Sequence, residues 1–153
     1  MREDDLIAQL RELIGAQRGA RKILNGIGDD AALWQPSRSN RSVITTDALV
    51  EGVHFRLDTM TLEDAGWRAM ASNLSDLAAM GSRPVLATVS LGVPGAGDAA
   101  QVLELYRGML AVASEYRCAI AGGDITRSDR WFVSITAIGE VRASNVKGRA
   151  GAR

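Results

Sequence analysis

Apolar positions recur along this chain with two spacings, that of a helix and that of a strand, and the switches between them divide it into elements. Leu6, Leu10, Leu13 and Ile14 repeat at helical spacing behind Glu3, Asp4 and Asp5, acidic residues that suit a helix N-terminus, so a short amphipathic helix opens the fold. Gly26 to Asp30 is a glycine-rich turn, Pro36 to Asn40 a second turn, and Arg41 to Val50 a strand rich in Val, Ile and Thr. Thr61 followed three residues later by Asp64 is a variant of the capping box. It opens a helix that runs to about Met80, where Gly81 and Pro84 stop it. Val85 to Val93 follows as an apolar strand, Asp98 to about Tyr116 as a second long helix, and Cys118 to Ile125 and Trp131 to Val141 as further strands. The alternation predicts a layered α/β domain over residues 1–142, and the polar, glycine-containing stretch 143–153 reads as the start of a linker.

On the Thr61 to Met80 helix, Trp67, Met70, Ala71, Leu74, Leu77 and Ala78 form one apolar stripe, which assigns Trp67 to the core. Ala69, Ser72, Asn73 and Asp76 fall on another face. Asp76 then stands among Asn73, Ser72 and Ser75 in an otherwise apolar helix, where a buried carboxylate needs a partner.

Composition narrows the function. With 153 residues the chain has the size of one domain with a real core. Its 18 basic and 18 acidic residues cancel and form no basic block, which argues against a nucleic-acid partner. Only Lys22 and Lys147 are lysines and no P-loop is present, so any phosphate contact falls to arginine, metal or backbone N-H groups. Cys118, the single cysteine, lies in an apolar run and reads as a buried thiol, with a cytoplasmic location as the expectation. No apolar run approaches the ~20 residues that span a bilayer, and the N-terminus lacks a signal-peptide pattern, so no membrane partner is expected.

Gly28-Asp29-Asp30, Thr45-Thr46-Asp47, Asn73-Leu74-Ser75-Asp76 and Gly122-Gly123-Asp124 are four acidic signatures set far apart in the chain. Carboxylates gathered by a fold repel one another unless a cation joins them, and Mg2+ shared with nucleotide phosphates fits such a set of hard oxygen donors. Each signature also has a plain reading. Gly-Asp-Asp is a common turn, and strand alternation sends Asp29 and Asp30 to opposite faces. Thr45 and Asp47 share a strand face, as metal ligands or as an ordinary exposed strand end. Gly122 and Gly123 let backbone approach a ligand closely or make a tight turn, with Asp124 at a strand end where α/β sites form. His54, the only histidine, is by position a loop or surface group, and Arg127 and Arg149 are open to phosphate contact or to simple solvation.

The segments Gly26-Ile27-Gly28-Asp29-Asp30-Ala31-Ala32, Thr45-Thr46-Asp47 with Glu51-Gly52-Val53-His54-Phe55, Asn73 to Gly81 and Gly122-Gly123-Asp124 together resemble the N-terminal half of the thiamine-monophosphate kinase family. The resemblance covers nearly the whole chain in the same order, and the family's second domain has no counterpart in it. It implies a PurM-like N-terminal domain, a four-stranded mixed sheet with helices on one face, pairing with a second copy into a barrel-like homodimer. It further implies Mg2+ ligands at Asp30, Thr45, Thr46, Asp47, Asp76 and Asp124, and ATP contacts at Tyr106, Gly123, Asp124 and Arg149. His54 would meet the thiamine monophosphate. The implied reaction is direct phosphoryl transfer from ATP to the phosphate of thiamine monophosphate, with no residue acting as general base. Two alternatives stay open, another ATP-dependent member of the superfamily acting on a purine precursor and a non-catalytic dimerising module.

Overall fold

The computed structural model describes residues 3–15, 23–28 and 30–148. Asp29 and Arg149, both named above, lie outside the described residues, as does Lys22. Helix α1 spans Glu3–Ile14, and Leu6, Leu10 and Ile14 bury its apolar stripe. Two short strands follow, β1 (Ile23–Asn25) and β2 (Leu33–Trp34), paired antiparallel. The main sheet has four strands: β3 (Asn40–Val50), β4 (Arg83–Pro94), β5 (Ala119–Ser128) and β6 (Phe132–Arg142). Between them lie α2 (Leu62–Ala79) and α3 (Ala99–Glu115).

The sheet order is β3-β6-β4-β5, with β6 antiparallel to β3 and β4, and β4 parallel to β5. It is the mixed four-stranded α/β arrangement expected from the sequence. One face carries Leu49, Val133, Ile135, Ala137, Ala87, Val89 and Leu91, all buried beneath the helices. The other face is largely open: Ile44 is 67% exposed and its neighbours include Thr46, Thr136 and Thr88. At one end of that open face, Ile23 and Trp34 of the small hairpin pack on Leu86, Ala121 and Ile138.

Both long helices begin as their sequences dictate. The Thr61 hydroxyl accepts from the Asp64 N-H at 3.0 Å while the Asp64 carboxylate accepts from the Thr61 N-H at 3.3 Å. Asp98 and Gln101 repeat the arrangement on α3. Gly81 ends α2 in the left-handed region at φ +71, and the Lys147 N-H closes on the Met80 carbonyl at 3.1 Å. Residues 143–145 form a short 3-10 helix, so the polar tail runs docked against the end of α2 at least as far as Lys147.

The buried face of α2 differs from the stripe its large residues suggest. Leu62, Ala65, Gly66, Ala69, Met70, Asn73, Leu74 and Leu77 are buried, whereas Trp67 is 52% exposed and Ala78 is also exposed. The cause is the crossing with α3. A Cβ at Gly66 would stand 2.0 Å from the Leu105 carbonyl oxygen, and one at Gly108 would stand 1.8 Å from that of Glu63. Backbones this close admit only small residues, so the contact face is marked by Gly and Ala rather than by bulk.

Candidate functional site

Strand register divides the acidic residues into two groups. Asp47 pairs with Ile135, Ile135 with Val89, and Val89 with Gly123, so Asp47 and Gly123 stand at one level on opposite edges of the sheet. Three strand spacings separate them, about 14 Å.

At the β3 edge Thr45 and Asp47 share a strand face, as expected, and that face is the helix-facing one. The Thr45 hydroxyl donates to Asp76 Oδ2 on α2 at 2.8 Å. Asp47 follows about 7 Å along the strand on the same side, and its Oδ1 accepts from the Ala48 N-H at 3.0 Å. Asp76 is exposed at the rim, away from the buried face of α2, and the partner expected for it is the Thr45 hydroxyl. Thr46 points the other way, its hydroxyl donating to the Ile135 carbonyl at 3.1 Å.

Beyond this edge the chain folds into a tight loop. The N-H groups of Val53 and His54 both close on the Val50 carbonyl, and Gly52, at φ +79, donates to the Phe55 carbonyl. The Val50 N-H in turn donates to His54 Nδ1 at 3.0 Å. Since a backbone N-H only donates, Nδ1 is the unprotonated nitrogen and Nε2 carries the hydrogen. Arg68 donates to the His54 carbonyl at 2.7 Å, fixing the loop to α2.

At the β5 edge lies a cavity of about 1090 Å³, walled by α1, the turn 26–32, the end of β4, and β5 from Ala121 to Arg127. Asp30, Tyr106, Gly123 and Asp124 all line it, so four of the sequence-derived positions meet here. Tyr106 is buried, and burial pushes its phenol well above its ordinary range, so it remains a neutral hydroxyl at any physiological pH.

The two glycines of the Gly-Gly-Asp signature have different tasks. A Cβ at Gly123 would stand 2.0 Å from the Val89 carbonyl oxygen, so this glycine serves the close approach of β4 and β5. Gly122 faces open space, with nothing within 4 Å of where its Cβ would be. Both glycines line the cavity: Gly122 leaves space there, while Gly123 is held by the approach of β4.

Thr45, Asp47 and Asp76 thus form one group and Asp30, Gly123, Asp124 and Tyr106 another, with His54 in the loop past β3. Among the described residues no three carboxylate, imidazole or thiol groups converge closely enough to hold an ion by themselves. Each group nevertheless offers hard oxygen donors, a hydroxyl with carboxylates in one and two carboxylates in the other. Mg2+ takes one or two protein carboxylates and completes its shell with water and phosphate oxygens, so the donor chemistry fits it. Sequence reasoning missed Arg11, which lines the same cavity from α1. Its signal was there, a basic residue in the last turn of a helix that precedes the Gly-Asp-Asp turn.

Comparison with known proteins identifies the family and the fold. The family described as "AIR synthase related protein, N-terminal domain" matches residues 28–141. Thiamine-monophosphate kinase of Mycobacterium tuberculosis (strain ATCC 25618 / H37Rv) is 39% identical over 146 residues, 95% of this chain and 44% of that protein. The crystal structure of thiamine-monophosphate kinase from Stenotrophomonas maltophilia K279a is similar with TM-score 0.77 at 38% identity, over 94% of this chain and 42% of the other. A structure of AaThiL complexed with AMPPCP and TMP is similar with TM-score 0.70 at 32% identity, over 100% of this chain and 47% of the other. The chain therefore spans less than half the length of these relatives. With the matched segment running from the Gly-Asp-Asp turn to the end of β6, the chain belongs to the family of AIR synthase related proteins, as an N-terminal domain that resembles the corresponding half of thiamine-monophosphate kinases.

Proposed function

We propose that this chain is the nucleotide- and magnesium-handling half of a thiamine-phosphate kinase, acting in the cytoplasm. The reaction moves the γ-phosphoryl group of ATP to the phosphate of thiamine monophosphate, giving thiamine diphosphate and ADP. The observation that carries the reading is the gathering of Asp30, Tyr106, Gly123 and Asp124 around one cavity in a chain aligned with these kinases over 95% of its length. Among the described residues no helix is long and apolar enough to cross a membrane.

The acceptor is a phosphate monoester, whose second pKa near ~6 leaves it an anionic nucleophile at neutral pH. An acceptor oxygen forms the new bond to the γ-phosphorus as the bond from that phosphorus to the bridging oxygen of ADP breaks. No proton has to be removed, so the site needs no general base, and positioning with charge neutralisation provides the acceleration. Asp30 and Asp124 at one edge, and Thr45, Asp47 and Asp76 at the other, are the residues that would hold Mg2+; the Thr46 hydroxyl, turned to the opposite face and bound to the Ile135 carbonyl, stands apart from that set. Bound there, Mg2+ offsets the repulsion between two anions and the charge on the departing oxygen. His54 presents Nε2-H outward as a neutral donor for the substrate, its ring held by the Val50 N-H. Gly123 and Tyr106 contact the nucleotide, and Arg149 joins them from outside the described residues.

A homodimer completes the proposal. The half-open sheet, with Ile44 two-thirds exposed on its bare face, supports pairing with a second copy into a closed barrel. Pairing would also bring further ligands to two edges that one sheet keeps about 14 Å apart.

The test is turnover by the protein that carries this chain, supplied with ATP, Mg2+ and thiamine monophosphate. Thiamine diphosphate and ADP are expected in equal amounts, and Asp124→Asn lowers the rate by about a hundredfold or more. ATP consumption independent of thiamine monophosphate, or an unchanged rate in the variant, overturns the assignment.

A further inference from the structure

The cavity at the β5 edge is lined by three carboxylates, Asp4, Asp30 and Asp124, and by two cationic side chains, Arg11 and Arg127. We propose that Arg11 and Arg127 are phosphate-binding residues of this cavity, clamping the polyphosphate chain that the carboxylates hold through their cation. The proposal rests on the nucleotide reading given above.

Electrostatics requires such groups. A triphosphate brought beside Asp4 and Asp124 meets like charge, and a single Mg2+ offsets only two charges. Lys147, the one described lysine, lies at the far end of α2 and not in the lining, so among the described residues arginine is the cation this cavity has. Arginine also suits the task, because its planar fork matches two phosphate oxygens at once.

Two observations show that the side chains are placed and unspent. The Arg11 guanidinium lies against Gly28: a Cβ there would stand 2.8 Å from both its Cζ and its Nη1. Gly28, at φ +112, therefore leaves room for that plane at the cavity wall beside the Gly-Asp-Asp turn. Among the described residues, moreover, neither Arg11 nor Arg127 has an ion pair or a side-chain hydrogen bond. Each presents five N-H donors without a protein acceptor, within a cavity that contains carboxylates it does not engage. Arg127 stands three residues past Asp124 on β5, opposite Val93 at the end of β4, so the two cations approach from different walls.

The experiment is titration of the chain with inorganic tripolyphosphate, a non-hydrolysable ATP analogue and adenosine, each with Mg2+. It is run on the unsubstituted protein, Arg11→Gln, Arg127→Gln and Arg11→Lys, with thermal unfolding as the check on folding. Both Gln variants should bind tripolyphosphate and the ATP analogue roughly tenfold more weakly. Adenosine binding should not change, and Arg11→Lys should recover only part of the loss. Tripolyphosphate binding equal to that of the unsubstituted protein in both folded variants overturns the proposal and leaves the nucleotide reading standing. Arginine-dependent binding of tripolyphosphate without binding of the nucleotide supports the clamp and counts against the nucleotide reading. If the unsubstituted chain binds neither, both are overturned.

Discussion

The β3 edge holds its carboxylates in the open and engages them locally: Thr45 donates to Asp76, and Asp47 accepts from the next backbone amide. The β5 edge does the reverse. There α1 and the Gly-Asp-Asp turn wall in a cavity, Tyr106 is buried in its lining, and two arginines stand without protein partners among the described residues. One edge is thus a set of donors already oriented by side-chain hydrogen bonds, the other a container whose form depends on backbone packing. Damage to the first should cost chemistry and little stability, whereas damage to the second should cost the fold itself.

Gly123→Ala against Gly122→Ala tests this most severely. At position 123 the added methyl meets the Val89 carbonyl oxygen of a hydrogen-bonded neighbouring strand, and neither backbone can move away without breaking the ladder. Overpacking of this kind costs ~3 kcal/mol, which is about 6–12 °C of Tm for a domain of this size. At position 122 the methyl enters free space, so Tm should stay within about 2 °C. Nucleotide binding should weaken there instead. Thermal unfolding of the two variants side by side is the check, and equal losses would mean that the β5 wall is not set by this close approach.

These two glycines also show what was legible in the sequence. Adjacent and chemically identical, they read alike as a signature, and only the packing reveals that one is closed against a neighbouring strand while the other has open space before it. The strands themselves were legible because Val, Ile and Thr runs between turns carry their own signal; β3, β4, β5 and β6 depart from expectation by a few residues at their ends. Pro84, read as a helix stop, instead lies inside the start of β4, at a point where that strand has β6 beside it but β5 has not yet joined. The β1-β2 hairpin was not legible, since strands of three and two residues have no period to detect. Trp67 failed for a different reason: on α2 the close crossing with α3 inverts the usual rule and buries glycine and alanine while the largest ring stays outside. Of the site, residue types and strand faces were legible, whereas the distance across the sheet was not, because it depends on strand order.

Alkaline pH should separate the two edges by a smaller margin. Burial pushes the Cys118 thiol from 9.0 up to about 12, and Tyr106 moves upward for the same reason. In the unfolded chain the thiol loses its proton near pH 9, while the folded chain keeps it, so the unfolded state gains stability as pH rises. The contribution of Cys118 is therefore complete below pH 9 and is lost progressively between pH 9 and 12. Each pH unit in that window costs about 1.4 kcal/mol for one such proton, or roughly 3–6 °C of Tm. Cys118→Ala should flatten the fall in Tm between pH 9 and 10 by that amount. A slope identical to that of the unsubstituted protein would show that Cys118 titrates as freely as in the unfolded chain.

Thr45→Val carries the smallest expected effect and bears most directly on the β3 edge. The substitution keeps the β-branched shape that suits a strand and removes only the hydroxyl that donates to Asp76. Asp76 is exposed, so its carboxylate regains water and no charge is left buried. The loss in stability should therefore lie near ~0.5 kcal/mol, the low end for a hydrogen bond, or about 1–2 °C of Tm. The functional loss should exceed this. Without the hydroxyl, Asp76 has no side-chain partner among the described residues to orient it, and a hard cation loses both an oxygen donor and the fixed position of a second. Turnover at limiting Mg2+ should fall by roughly tenfold and recover in part as Mg2+ is raised, whereas Thr45→Ser, which retains the hydroxyl, should stay near the unsubstituted rate. If Thr45→Val lowers Tm by much more than this and leaves the Mg2+ dependence unchanged, the Thr45–Asp76 bond is a fastening between β3 and α2, and the two edges of the sheet differ less than their geometry suggests.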